Sequence, residues 1–258
     1  MSKLVFITGA SGGLGQALAQ HYYRAGFSLA LVARRIDDVE AWAGQNRINP
    51  ERCQIYRADV AQTDSIVAAG RDCLARQGVP DVVIACAGIS VGVDTAERAD
   101  LDQMSKTFAT NNVGTAATFH PFVAAMKLRG SGALVGIGSV NGIRGFAGHG
   151  ANCPSKAAMI VYCESLRLEL RASGIRVVTL CPGYIATALT RKNTFSMPFL
   201  MQAEDFAAQA FKVIESGASY RVIPWQMGLV AKVLRLLPNW AFDRAFSGRA
   251  RKARQEVA

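Results

Sequence analysis

The segment Thr8-Gly9-Ala10-Ser11-Gly12-Gly13-Leu14-Gly15 stands between an apolar run, Leu4-Val5-Phe6-Ile7, and the helical stretch Gln16–Ala25. Glycine permits a tight turn and a close approach of backbone to a ligand, and the positive end of the following helix attracts an anion. Glycines alone make only a turn. Placed directly after a first strand and opening a helix, they suit the pyrophosphate of a dinucleotide, with Gly9, Ser11, Gly12, Gly13, Leu14 and Gly15 as the contacting residues. The second strand-like run ends in Arg34-Arg35. An acid at that point would accept hydrogen bonds from ribose hydroxyls, whereas a guanidinium fork suits a 2′-phosphate. The arginine pair therefore points to NADP, the alternative being that both arginines merely solvate a helix start. Asp37 and Asp38 read as capping groups of that helix.

The elements that must hold these residues are legible from apolar patterning. Candidate strands are Lys3–Thr8, Ser28–Ala33, Cys53–Arg57, Asp81–Ala85, Ala133–Gly138, Ile175–Cys181 and Tyr220–Ile223, with longer helical stretches between them. Most are continuously apolar, as expected where helices cover both faces of a parallel sheet. The expected fold is α/β, a single-domain Rossmann-type doubly wound parallel sheet of about seven strands, binding its ligand at the carboxyl ends of the strands. The chain of 258 residues exceeds the usual prior of about 150 per domain, yet α/β folds of this size occur as one unit. A hydrophobic half, 24 Gly and only 8 Pro exclude a disordered or collagen-like chain. Residues 1–223 are expected to form the dinucleotide-binding domain with its substrate pocket, and 224–258 a basic amphipathic extension. The irregular, apolar segment Asn193–Met201 is a candidate lid.

At this point the sequence resembles the short-chain dehydrogenase/reductase family over about residues 1–223. Thr8–Gly15 matches its Thr-Gly-x-x-x-Gly-x-Gly. Asp59-Val60 looks like the pair that contacts adenine, and Cys86-Ala87-Gly88 stands where Asn-Ala-Gly is usual, so that Ala87 and Gly88 fall to the cofactor while Cys86 departs from the pattern. Asn111-Asn112-Val113-Gly114 matches Asn-x-x-Gly, and Gly138-Ser139-Val140-Asn141-Gly142 the catalytic serine motif. Pro182-Gly183-Tyr184-Ile185-Ala186-Thr187 resembles the segment that closes over the nicotinamide amide, through Pro182, Gly183, Ile185 and Thr187. The resemblance implies ketone–alcohol interconversion with NADP(H), Ser139 polarising the carbonyl, Lys156 binding ribose, Asn111 supporting Lys156, and a homodimer or homotetramer built on helices near Asn111–Arg129 and Pro154–Arg171.

One position breaks the pattern. The family's helix carries Tyr-x-x-x-Lys, and here Asn152 stands four residues before Lys156, on the same helical face. An amide can donate a hydrogen bond but does not titrate near neutral pH, so it cannot complete the proton transfer. The expectation is a strongly impaired form, through an exchanged residue or as a natural pseudo-enzyme. The rival is a protein that binds NADP as a sensor or scaffold. His149, flanked by Gly148 and Gly150, reads as a solvated loop residue, the alternative being that it reaches the site in place of the missing phenol, and Tyr162 reads as a packing residue.

The net charge is +10, and Ser219–Ala258 carries +6 of it. Leu229, Val230, Val233, Leu236 and Leu237 share one helical face, with Lys232 and Arg235 beside them and Trp225 and Trp240 at the ends. Such a helix lies on an anionic membrane surface or packs against protein; its leucine and aromatic content argues against nucleic acid. No apolar run approaches the roughly 18 residues that would span a bilayer, and neither the six scattered cysteines nor the three histidines have metal-ligand spacing. A cytoplasmic protein with reduced thiols, free or held at a membrane surface by its tail, and a small carbonyl or alcohol substrate are expected. Its apolar lid and tail resemble those of family members that reduce lipid-like ketones.

Overall fold

The computed structural model describes residues 2–191, 196–248 and 251–254. Seven strands form one parallel sheet: β1 (Leu4–Thr8), β2 (Ser28–Ala33), β3 (Cys53–Arg57), β4 (Val82–Ala85), β5 (Gly132–Ile137), β6 (Ile175–Pro182) and, last in sequence, β9 (Tyr220–Ile223). Their spatial order is β3-β2-β1-β4-β5-β6-β9. The order reverses direction between β1 and β4, which opens a crevice at the carboxyl ends of those strands.

Helices α1 (Gly13–Arg24) and α8 (Ala203–Ser216) cover one face of the sheet. There Leu18 and Tyr22 pack with Phe206 and Ile214 over Val5, Ile7, Leu29 and Leu31. On the other face lie α3 (Thr63–Gln77), α5 (Gly114–Arg129) and α6 (Asn152–Leu170). Phe119, Phe122, Met126 and Met159 bury Phe6, Val83 and Leu134 against them. Fully buried strands on both faces explain the unbroken apolar runs. The remaining helices before the sheet's last strand are α2 (Ile36–Gln45), α4 (Arg98–Phe108) and the short α7 (Ala188–Arg191).

A two-stranded parallel pair, β7 (Ile185–Ala186) and β8 (Met201–Gln202), was not expected from the sequence. It anchors the far end of the candidate lid, through Met201 N–H donating to the Tyr184 carbonyl. Lid residues 193–195 lie outside the described residues.

Past the sheet, α9 (Trp225–Leu236) and α10 (Asn239–Phe246) follow. Only Met227 and Ala231 of α9 are buried, while Leu229, Val233 and Leu236 face outward, the last 83% exposed. The apolar face is thus not packed on this chain. The basic end does not lie free either. Arg251 and Arg254 pair with Asp94 and Asp100, and Gly92 forms a bridge to Arg254. The tail cations at 251 and 254 are accordingly not available to a membrane in this arrangement; Arg249 and Glu256 lie outside the described residues. Among the described residues no helix is long and apolar enough to cross a membrane.

Candidate active site

A cleft of about 740 Å³ runs along the carboxyl ends of the strands. Every residue assigned from sequence to cofactor or catalysis lines it, with the exception of Asn111, which lies buried behind the wall.

At one end is the glycine turn. Gly9 has φ of +72°, and a Cβ there would stand 2.8 Å from Ala87 Cα, so this glycine is demanded by the chain's own packing. Gly15 is demanded likewise, because a Cβ would overlap the Gly9 carbonyl oxygen. Gly13 differs. The nearest atom to its Cβ position is Thr187 Cγ2 at 3.7 Å, and Gly12 caps α1 without any side-chain bond to the first-turn N–H groups. Space and donors are left together at a helix N-terminus, which fits the pyrophosphate of a dinucleotide.

Arg34 and Arg35 leave β2 at the same end. Arg35 Nε is tied to Asp38 at 2.5 Å, while Arg34 only approaches Asp59, its Nη1 3.6 Å from the carboxylate. Arg34 is therefore the freer guanidinium for a 2′-phosphate. Asp38 and Asp37, expected as caps, sit in the first turn of α2 and face Arg35 and Arg57 instead of bonding the helix N–H groups. Asp59 Oδ1 accepts from Ala61 N–H at 3.0 Å and so fixes the Asp59-Val60 turn on the cleft wall.

The catalytic end is built by α6 and the strand ends. Lys156 Nζ donates to the Ile137 carbonyl at 2.9 Å, and burial lowers its pKa, with the neighbouring Cys86 and Cys181 opposing. Burial also pushes the Cys86 thiol up to about 12, so it stays protonated beside that ammonium. Ser139 follows β5 and accepts from Asn141 N–H at 3.1 Å. Asn111 is 1% exposed and sits in a wide π-type turn (109–113) between α4 and α5. Its side chain exchanges hydrogen bonds with the Ile89 backbone at 2.9 and 3.0 Å and donates to Ser155 Oγ at 2.9 Å. Asn111 thereby locks the loop after β4 to α6. A Cβ on Gly88 would lie 3.2 Å from Asn111 Oδ1 and 3.4 Å from Lys156 Nζ, so the three residues meet there. No Asn111–Lys156 hydrogen bond is among the contacts described.

Asn152 opens α6, 3% exposed, on the cleft wall beside Lys156, and its carbonyl accepts from Ser155 Oγ at 2.9 Å. Tyr162 is absent from the cleft and packs against the core, as expected. His149 is a correction. It is not a solvated loop residue but 9% exposed and part of the cleft wall, with its pKa lowered to about 4 by burial first and the Lys252 charge second. The sequence reading also missed Ser90, Tyr184 and Lys252, all of which line the cleft. For Ser90 and Tyr184 the adjoining motifs were a usable signal. For Lys252 there was none, since its partner Ser90 is 162 positions away.

The sequence pattern of the short chain dehydrogenases matches residues 3–197. An uncharacterized oxidoreductase of Myxococcus xanthus is 35% identical over 243 residues, spanning 94% of this chain and 96% of that protein. A 3-oxoacyl-[acyl-carrier-protein] reductase of Mus musculus is 28% identical over 191 residues, 74% of this chain and 79% of its own. Among solved structures, a short-chain dehydrogenase from Streptomyces avermitilis has the same fold, with a TM-score of 0.81 at 24% identity, covering 95% and 98% of the two chains.

Proposed function

This chain belongs to the short-chain dehydrogenase/reductase family of oxidoreductases, and on that premise we propose that it binds NADP(H) and interconverts a ketone and a secondary alcohol. The observation that carries the cofactor reading is Arg34, a guanidinium just past the end of β2 whose ion pair with Asp59 is long, at 3.6 Å, where an acid would serve NAD. Gly12, Gly13 and Leu14 would hold the pyrophosphate, Lys156 the nicotinamide ribose, and Thr187 would close over the carboxamide. When bound, the nicotinamide supplies or accepts the hydride.

This chain's own residues orient and polarise. Ser139 Oγ donates to the carbonyl oxygen of the substrate, and the Lys156 ammonium adds positive potential where negative charge develops. Asn152 Nδ2 offers a second hydrogen bond to that oxygen but has no proton to release. Turnover is accordingly low relative to a protein with a phenol at that position. The mouse relative, named for reducing a 3-oxoacyl group, supports the ketone reading, and the apolar wall of Ile89 and Val140 suits a substrate with a hydrophobic part. A second reading, an NADP-binding sensor or scaffold without turnover, is favoured by Asn152 alone. Exposed Val113, Leu128, Val161 and Leu168 on and beside α5 and α6 suit a homodimer or homotetramer, and the outward face of α9 suits an anionic membrane surface.

Titration calorimetry of NADPH against NADH tests the cofactor reading. NADPH should bind tighter by about 1–3 kcal/mol, the usual worth of charge-assisted hydrogen bonds. Equal affinities would remove it.

A further inference from the structure

The last described residues, 251–254, return to the body beside the cleft, which Lys252 lines, and are seated there by a set of matched groups. Arg254 meets Asp100 through two nitrogens, Nε at 2.7 Å and Nη2 at 3.2 Å from the two carboxylate oxygens, and Asp100 is only 2% exposed. Arg251 Nη2 lies 3.0 Å from Asp94, whose own N–H donates to Asp100 at 2.7 Å. The backbone of the segment passes so close to the body that a side chain at Gly92 would overlap the Ala253 carbonyl, and a Cβ at Gly148 would stand 2.8 Å from Lys252 N. A buried carboxylate and two glycines that admit no side chain make this a built seat.

Lys252, between the two paired arginines, turns inward. It lines the cleft with Ser90, His149, Asn152 and Ser139, and its Nζ donates to Ser90 Oγ. Each described arginine of the segment has a carboxylate, whereas among the described residues none lies within ion-pair distance of Lys252. A half-buried ammonium held by one neutral acceptor is left short of compensation. The hydroxyl of Ser90, having accepted from Lys252, keeps its own proton to donate. Two donors and one positive charge, side by side in the cleft that the catalytic residues also line, match the two oxygens and single charge of a carboxylate.

We propose that Lys252, carried into the cleft by the C-terminal segment and aided by Ser90, is a specificity-determining residue that binds a carboxylate on the carbonyl substrate, so that the substrates are keto acids and the corresponding hydroxy acids. This rests on the oxidoreductase reading above, since it places the carboxylate relative to a carbonyl held at Ser139. A phosphate ester would ask for more donors than this pair presents.

The test uses the full chain saturated with NADP⁺, which cannot reduce a ketone, so that binding is read without turnover. Pyruvate, acetoacetate and levulinate are titrated by calorimetry beside their methyl esters. At least one acid should bind about tenfold or more tighter than its ester, as expected for a charge-assisted pair. Lys252→Met should abolish that preference and Lys252→Arg should retain it. No preference in any of the three pairs, or a preference that survives Lys252→Met, overturns the proposal. Failure of NADP⁺ itself to bind would instead overturn the reading on which it rests, and circular dichroism of each variant separates loss of binding from loss of fold.

Discussion

At residue scale, the proposed preference for NADP(H) rests on Arg34, because Arg35 is already held by Asp38. Arg34→Asp should reverse the preference between NADPH and NADH, whereas Arg35→Ala should change it by only a few-fold; comparable effects from both would mean the 2′-phosphate reads the pair as a unit. His149 carries a separate expectation. Its pKa is lowered from 6.5 to about 4, burial being the larger cause, so protons bind the unfolded chain in preference to the folded one between those values. Its share of stability is complete above pH 6.5 and is lost as pH falls toward 4. His149→Gln should flatten the dependence of Tm on pH in that window, and an unchanged slope would contradict the assignment. The sequence could name His149 but not its environment, since Gly148 and Gly150 suggest an open loop, whereas the ring lies against Phe146 and close enough to Lys252 of the returning tail to feel its charge.

At element scale, the first βα turn separates what the fold needs from what a ligand needs. Gly15→Ala should destabilise the protein, because the methyl group meets the Gly9 carbonyl oxygen. Gly13→Ala has open space before Thr187 and should keep or slightly raise Tm, since alanine favours a helix start, while NADPH binding weakens by about tenfold or more as the methyl enters the cradle. Thermal melts and calorimetry on the two variants check this; equal losses of stability would refute it. The seven sheet strands were legible to within a residue or so, the five inner ones because burial on both faces writes itself into the sequence as unbroken apolar runs, which the half-exposed edge strands β3 and β9 lack. The short β7–β8 pair was not, being too brief for any periodicity, and the orientation of α9 was legible only as a stripe, without the side it would face.

At the scale of the whole molecule, the motifs read from sequence, spread from Gly9 to Thr187, line one cleft, while contacts made by the returning tail were not foreseen. The basic tail looked like a surface feature because charge density is visible in composition, whereas the pairing of Arg254 with Asp100, 154 positions apart, depends on the completed fold. The outward apolar face of α9 keeps the membrane reading testable. Co-sedimentation with anionic liposomes at low salt should fall when Leu229 and Leu236 are replaced by Glu; a protein that ignores such vesicles has that face in a protein contact. The proposal that this chain binds its cofactor but lacks a proton donor rests on Lys156, Ser139 and the glycine turn lining one cleft with an amide at position 152. Losing a general acid costs about a hundred- to ten-thousandfold. The direct measurement is steady-state ketone reduction by the protein as it stands and by Asn152→Tyr, with the NADPH Kd of each. Turnover should rise by at least about a hundredfold while the Kd changes only a few-fold; equal turnover by the two forms would contradict the account.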